Sequence, residues 1–201
     1  MPNNGGCVTI AELALGCAIN FFAVERFLDE QECQRLRGVM RESPLAAATV
    51  ARGTAPTDYA ADEERRRTRR SAVSADEQAS FVAKLEAVRE NAAAHFGEAL
   101  AKTEEPQFLI YRTGDFFVRH TDRDRAGLKA RTISIIVFLS EPGPATYLGG
   151  DLKFTGYFND RETHLTLRPS EGLLIAFPSH IPHEVTPVES GERFTIVSWF
   201  A

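Results

Sequence analysis

The feature that most constrains this chain is a change of hydrophobic period at Gln107. Beyond it, Gln107–Arg112, Phe116–Asp122, Thr132–Leu139, Leu152–Phe154, His164–Leu167, Leu173–Phe177, His183–Val185 and Phe194–Phe200 all read as strands. They are short, rich in β-branched and aromatic residues, and separated by Gly, Pro and Asp. Eight such segments in about 95 residues predict two facing antiparallel sheets, a jelly roll. Helical patterns precede the strands instead of alternating with them, so the class is α+β. At 201 residues the chain is expected to form a single domain, with a strand and helical support over 1–106 and the jelly-roll core over 107–201.

Upstream of Gln107, residues 1–19 are weakly patterned, and Asn20-Phe21-Phe22-Ala23-Val24 reads as a first strand. Asp29 is placed to cap a helix running to near Arg41, with Leu36, Val39 and Met40 as its apolar stripe. A second helix opens at Ser74, because Ser74 and Glu77 have the spacing of a capping box. Phe81, Leu85, Val88, Ala92 and Phe96 recur at three- and four-residue intervals, and Gly97 is a stop. Between the helices, residues 43–73 hold Pro44, Gly53, Pro56 and a charge run from Asp62 to Arg70. This stretch reads as a solvated loop, or more sharply as a mobile flap near a binding site.

Composition excludes several functional classes. The 23 Lys and Arg against 28 Asp and Glu leave a net charge of −5, with no general footprint for nucleic acid or an anionic membrane. No apolar run is long enough to span a bilayer, and the first 20 residues lack a secretory pattern. Cys7, Cys17 and Cys33 are odd in number and show no CxxC spacing, so reduced thiols in a cytoplasmic protein are expected.

Chemistry concentrates in the strand-rich half. In His120-Thr121-Asp122 the period of two sends the imidazole and the carboxylate to one face. Both are good ligands for a divalent first-row metal. A second histidine completes the two-His, one-carboxylate facial triad of non-haem iron(II), which leaves positions open for other ligands. Four histidines compete for that place. His95 lies on a helix, His164 lies in a polar stretch, and His180 sits in the turn after the apolar strand Leu173–Phe177. His183 begins the next strand-like segment and is the better ligand. Ten residues after His183 comes Arg193, which shares one strand face with Thr195, Val197 and Trp199. An inward guanidinium needs an anionic partner. A dicarboxylate with one end on the metal and the other on Arg193 meets both needs.

These residues resemble those of the prolyl 4-hydroxylase-like branch of the iron(II)/2-oxoglutarate-dependent dioxygenases. The stretch from Tyr111 through Gly114 and Phe117 to His120 and Asp122 is similar to that family's Y-x-x-G-x-[FY]-x-x-x-H-x-D pattern. Arg131–Ser140 resembles its next core strand, Gly149-Gly150-Asp151-Leu152 its GG turn, and Pro169–Phe177 its P-x-x-G-x-[LA]-[LI]-x-F segment. The block from His183 through Gly191 and Arg193 to Trp199 resembles its distal motif.

The resemblance implies a double-stranded β-helix in which His120, Asp122 and His183 bind iron(II) and form the catalytic centre. Arg193 would hold the distal carboxylate of 2-oxoglutarate, Tyr111 would donate to the cosubstrate, and Thr195 would assist the arginine. Arg131 and Trp199 would line the substrate side. O2 is then the second cosubstrate, with ascorbate as an optional reductant. The expected reaction is hydroxylation of an unactivated C–H bond, of a prolyl residue or a small amino-acid-like molecule, with release of succinate and CO2. A carboxylate at Asp122 favours hydroxylation over halogenation. A protein, peptide or small molecule is the expected partner, without nucleic acid or membrane. A catalytically silent metal- or peptide-binding jelly roll is the alternative. Val137 departs from relatives that carry a cosubstrate-touching tyrosine there. The basic cluster Arg119, Arg123, Arg125, Lys129 and Arg131 reads as a solvated loop or as the rim of a pocket for an anionic substrate.

Overall fold

Asp29 starts the first helix. Its side chain accepts from the Glu32 backbone N–H, and Glu32 returns a bond to Asp29, a closed capping box worth about 1 kcal/mol. Ser74 caps the second helix by accepting from Glu77 N–H. The carboxylate of Glu77 goes to both terminal nitrogens of Arg35, which ties the two helices together. Gly97 ends the second helix at φ +68°, a left-handed conformation suited to glycine.

The computed structural model describes residues 19–51, 59–123, 128, 130–158 and 161–201. The expectations for residues 1–18, Cys7 and Cys17 included, lie outside them. In chain order the elements are β1 (Phe22–Val24), α1 (Glu30–Glu42), β2 (Leu45–Ala47), β3 (Thr49–Ala51), β4 (Tyr59–Ala61), β5 (Arg66–Arg67), β6 (Arg69–Ser71) and α2 (Ala75–Phe96). There follow β7 (Gln107–Arg112), β8 (Phe116–His120), β9 (Ile133–Phe138), β10 (Tyr147–Gly149) and β11 (Leu152–Phe158). The last are β12 (Arg161–Leu167), β13 (Leu174–Pro178), β14 (His183–Val185) and β15 (Val188–Phe200). The major sheet has the order β1-β13-β9-β15-β7-β6-β2, with β10 also on β15; the minor sheet runs β12-β11-β14-β8-β5. Every pairing is antiparallel.

Alternation along the central strands creates three layers. Phe108, Ile110, Ile133, Ile135, Val137, Phe194 and Ile196 face the helices, where Leu36, Met40, Phe81 and Leu85 meet them. Leu109, Tyr111, Ile136 and Phe138 face the minor sheet and pack with Leu152, Phe154, Phe177 and Val185. A sheet covered on both faces has no polar side, which is why β9 reads as a continuous apolar run.

Two expectations change. The described residues of 43–73 are not a solvated loop, because five short strands lie among them. β2 and β6 extend the major sheet, β5 extends the minor one, and β3 pairs with β4. The segment before residue 107 thus adds strands to both sheets as well as helical support. Val137 does not face the cosubstrate side. Strand alternation turns it toward the helices and leaves Ile136 and Phe138 on the inner face. Among the described residues, no helix is long and apolar enough to cross a membrane.

Candidate active site

His120 closes β8 and His183 opens β14, and the two are directly paired across the minor sheet. Asp122 follows just beyond β8, held by its backbone N–H on Ser179 O. One ligand atom from each of the three residues lies within 4.8 Å of the others. His120 Nδ1 is 2.9 Å from Val118 O, and His183 Nδ1 is 3.0 Å from Ile181 O. A backbone carbonyl only accepts, so both Nδ1 atoms donate and Nε2 is the atom that each ring leaves for a metal. Those Nε2 atoms lie 3.6 Å and 3.7 Å from the two carboxylate oxygens of Asp122. Burial, followed by the neighbouring His183, pushes the His120 pKa down to about 3, so its imidazole is neutral at pH 7. Burial pushes Asp122 up, but His183, His120 and the Ser134 hydroxyl outweigh it and bring Asp122 to about 2. Two imidazole Nε2 atoms and one carboxylate converging on one point fit iron(II) in its facial arrangement.

The carboxylate is held in place. Ser134 donates to Asp122 Oδ2 at 2.7 Å and, having only one proton, accepts from Ser179 at 2.9 Å. The sequence reading passed over Ser134, whose signal was a hydroxyl interrupting an otherwise apolar strand. Ser134→Ala is expected to weaken metal binding about 10- to 100-fold, the usual cost of losing a partner that orients a ligand. Titration with a divalent metal, with the fold checked by circular dichroism, measures this.

Arg193 stands on the neighbouring wall, 2% exposed and opposite Tyr111 in the sheet. Its Nη1 donates to Thr195 Oγ1 at 3.3 Å, while its Nε is buried with no partner. The guanidinium carbon lies 5.2 Å from the Tyr111 ring centroid and 5.6 Å from that of Phe138. A buried cation without a carboxylate is costly, and a dicarboxylate is the ligand that fits. The GG turn supports it. A Cβ on Gly150, whose φ is +61°, would come within 3.0 Å of Arg193 Cδ. Gly150→Ala is therefore expected to displace the arginine and raise the KM for 2-oxoglutarate, readable as initial rates against cosubstrate concentration.

All eight residues expected at the site line one open cavity of about 930 Å³: His120, Asp122, His183, Arg193, Tyr111, Thr195, Arg131 and Trp199. Arg131 is not a free cation there. Its Nε and Nη2 donate to Glu104 Oε2 at 3.0 and 2.8 Å, and its guanidinium stacks 3.5 Å over Trp199. The neighbouring basic residues disperse. Arg119 pairs with Glu162 and Arg123 is exposed, while Arg125 and Lys129 lie outside the described residues. Of the other histidines, His180 is exposed in its turn, His164 approaches Thr155 and Glu162, and His95 bonds Asn20. A cavity residue that sequence reasoning missed is Arg66, hidden in a charge run that resembled a solvated surface.

Residues 106–201 match the sequence profile of the 2OG-Fe(II) oxygenase superfamily. This stretch, just under half of the chain, is similar to that superfamily. A PKHD-type hydroxylase of Shewanella sp. strain ANA-3 is 35% identical over 98 residues, covering 47% of this chain and 41% of its own. One of Hyphomonas neptunium is 33% identical over 119 residues, covering 57% and 50%. The chain thus spans half or less of the length of these relatives. The likeness in fold extends over most of the chain. A Pseudomonas putida prolyl-4-hydroxylase superposes with a TM-score of 0.69 at 23% identity, over 91% of this chain and 92% of its own. A Trichoplax adhaerens prolyl hydroxylase, solved with a hypoxia-inducible-factor peptide, gives 0.68 at 18% identity, over 91% and 84%. The double-stranded β-helix architecture is shared with both, and the superfamily's iron(II) and 2-oxoglutarate are the groups that the triad and Arg193 fit.

Proposed function

We propose that the protein is an iron(II)- and 2-oxoglutarate-dependent dioxygenase that hydroxylates an unactivated C–H bond and releases succinate and CO2. The observation that carries this is the meeting, in one cavity, of three converging metal-ligand atoms and the unpaired buried guanidinium of Arg193. Bound iron would supply oxygen activation. The chain's own residues bind and orient. His120, Asp122 and His183 hold the metal with their lone pairs preset. Arg193, helped by Thr195, takes the distal carboxylate of 2-oxoglutarate, and Tyr111 lines the same wall. Phe138 and Ile136 keep the floor dry.

A prolyl residue in a peptide, or a small amino-acid-like molecule, is the substrate class in line with the prolyl hydroxylases that share this fold. Trp199 and Arg131 form its wall. Because Glu104 neutralises Arg131, this arginine suits a neutral peptide carbonyl. Arg131→Ala is expected to weaken substrate-coupled turnover and leave substrate-free decay of 2-oxoglutarate nearly intact. Equal loss of both would assign it to the metal site. The buried Cys33, whose thiol is pushed by burial up to about 12 and so stays unreactive, accords with a reducing cytoplasmic setting. The deciding experiment is succinate release across prolyl peptides, free amino acids and small acids. Succinate that forms without iron or without 2-oxoglutarate would refute the proposal.

A further inference from the structure

Three guanidinium groups that are at least nine-tenths buried line the cavity, those of Arg66, Arg131 and Arg193. Glu104 answers Arg131. The distal carboxylate of 2-oxoglutarate answers Arg193 under the function proposed above. Arg66 has no ion pair among the described residues. It is 7% exposed, its Nη1 donates to Thr49 O at 3.0 Å, and its Nη2 reaches Gln107 Oε1 at 3.4 Å. Both acceptors are neutral, the Tyr111 side chain is a third neutral neighbour, and Nε is buried with no partner. Among the described residues, the only carboxylate lining the cavity belongs to Asp122, which the metal would claim.

The position of Arg66 follows from its strand. β5 pairs with β8 so that Arg66 lies opposite Phe117 and Arg67 opposite Phe116, and alternation turns Arg66 inward while Arg67 stays exposed. Its guanidinium carbon sits 4.8 Å from the centroid of Phe117, and that same ring stacks on His120 at 3.5 Å. Whatever Arg66 holds is thus set beside the metal ligands. With metal and cosubstrate in place, the charges of Asp122, Arg193 and the Arg131–Glu104 pair are all matched. One buried positive charge remains, that of Arg66, with no carboxylate answering it among the described residues.

We propose that Arg66 is the anchor for a carboxylate on the substrate, making this a hydroxylase of acidic molecules whose anion is clamped opposite Arg193. The inference rests on the proposed reaction for the word substrate, but the carboxylate site is measurable without turnover. The carboxylate has two possible sources, a free chain terminus or an acidic side chain beside the residue to be hydroxylated.

The test uses the whole protein loaded with Zn(II), which is redox-inert, and saturating 2-oxoglutarate. Trp199, the single tryptophan and part of the cavity lining, reports binding by fluorescence. One arm compares N-acetyl-L-proline with N-acetyl-L-prolinamide, and the other compares acetyl-Pro-Asp-amide with acetyl-Pro-Asn-amide. The acid of at least one pair is expected to bind about 10-fold or more tightly than its neutral partner, as suits a charge-assisted bond at a buried site. The pair that shows the preference identifies the source. Arg66→Gln should abolish the preference, and Arg66→Lys should restore only part of it, because the planar fork is lost. No preference for either acid in the parent protein would overturn the proposal without any variant. So would a preference that survives Arg66→Gln, or a loss of 2-oxoglutarate affinity in that variant as large as the loss for the acid, since Arg66 would then serve the cosubstrate. Failure to detect iron-dependent succinate formation would remove the proposed reaction and leave this binding result standing.

Discussion

His183→Ala should give a folded protein that binds no iron tightly and forms no succinate, while His180→Ala should turn over at the parent rate. The two histidines are three residues apart, yet only one brings its Nε2 beside Asp122 to share a metal with it. His183 Nδ1 is fixed on Ile181 O, and its Nε2 lies 3.7 Å from the carboxylate, whereas His180 is exposed in the turn. Removing one of three protein ligands leaves two, too few to hold iron(II) in its facial arrangement. The variant also removes a ring that packs edge-on against Phe177, with centroids 5.0 Å apart. A thermal melt should therefore accompany the assay, to separate lost metal from lost packing. A dead His180→Ala variant would reverse the assignment.

The next largest effect is expected at Arg193. Arg193→Ala should raise the KM for 2-oxoglutarate about 10- to 100-fold, since a charge-assisted bond to a buried carboxylate contributes roughly 1.5–3 kcal/mol. Arg193→Lys should recover only part of this. Stability should move differently. The guanidinium has no acidic partner among the described residues, so replacing it with methionine removes an uncompensated buried charge. In the absence of cosubstrate, the Arg193→Met protein should melt no lower than the parent. An unchanged KM in Arg193→Ala would assign the distal carboxylate to another cation, and Arg66 is the one placed to take it.

The catalytic half was legible because its constraints are local. A period of two places His120 and Asp122 on one face and Arg193, Thr195 and Trp199 on another; β15 realises the second, while β8 ends at His120 and the turn beyond it brings Asp122 to the same point. The helices were legible for the same reason: Asp29, Ser74 and Gly97 act within a single turn. What escaped was set by pairing between distant segments. β5 has two residues, too few to show a period, and nothing near Arg66 in the chain reveals that β8 lies beside it. A run of arginines looks solvated until one member is turned inward by a partner about 50 residues away in sequence. Ser134 escaped for a similar reason, because its value comes from Asp122 and Ser179 on other elements. Val137 was misplaced because a strand buried on both faces carries no polar side to fix its phase.

The cavity has two kinds of wall. Its floor is made by β7, β9 and β15, long strands that lie inside the major sheet, with the helix layer pressed against their far side. Its rim is made by β3 and β5, which have three and two residues; each pairs along one neighbour only. Amide hydrogens on the floor should exchange with solvent only when the whole molecule opens, while those on the rim should exchange through small local openings. The residue proposed to grip the cosubstrate therefore stands on the slowest-exchanging part of the protein, and Arg66 stands on a part that can be rebuilt. Substitutions at the rim can change which molecule is accepted without disturbing the strands on which Arg193 depends.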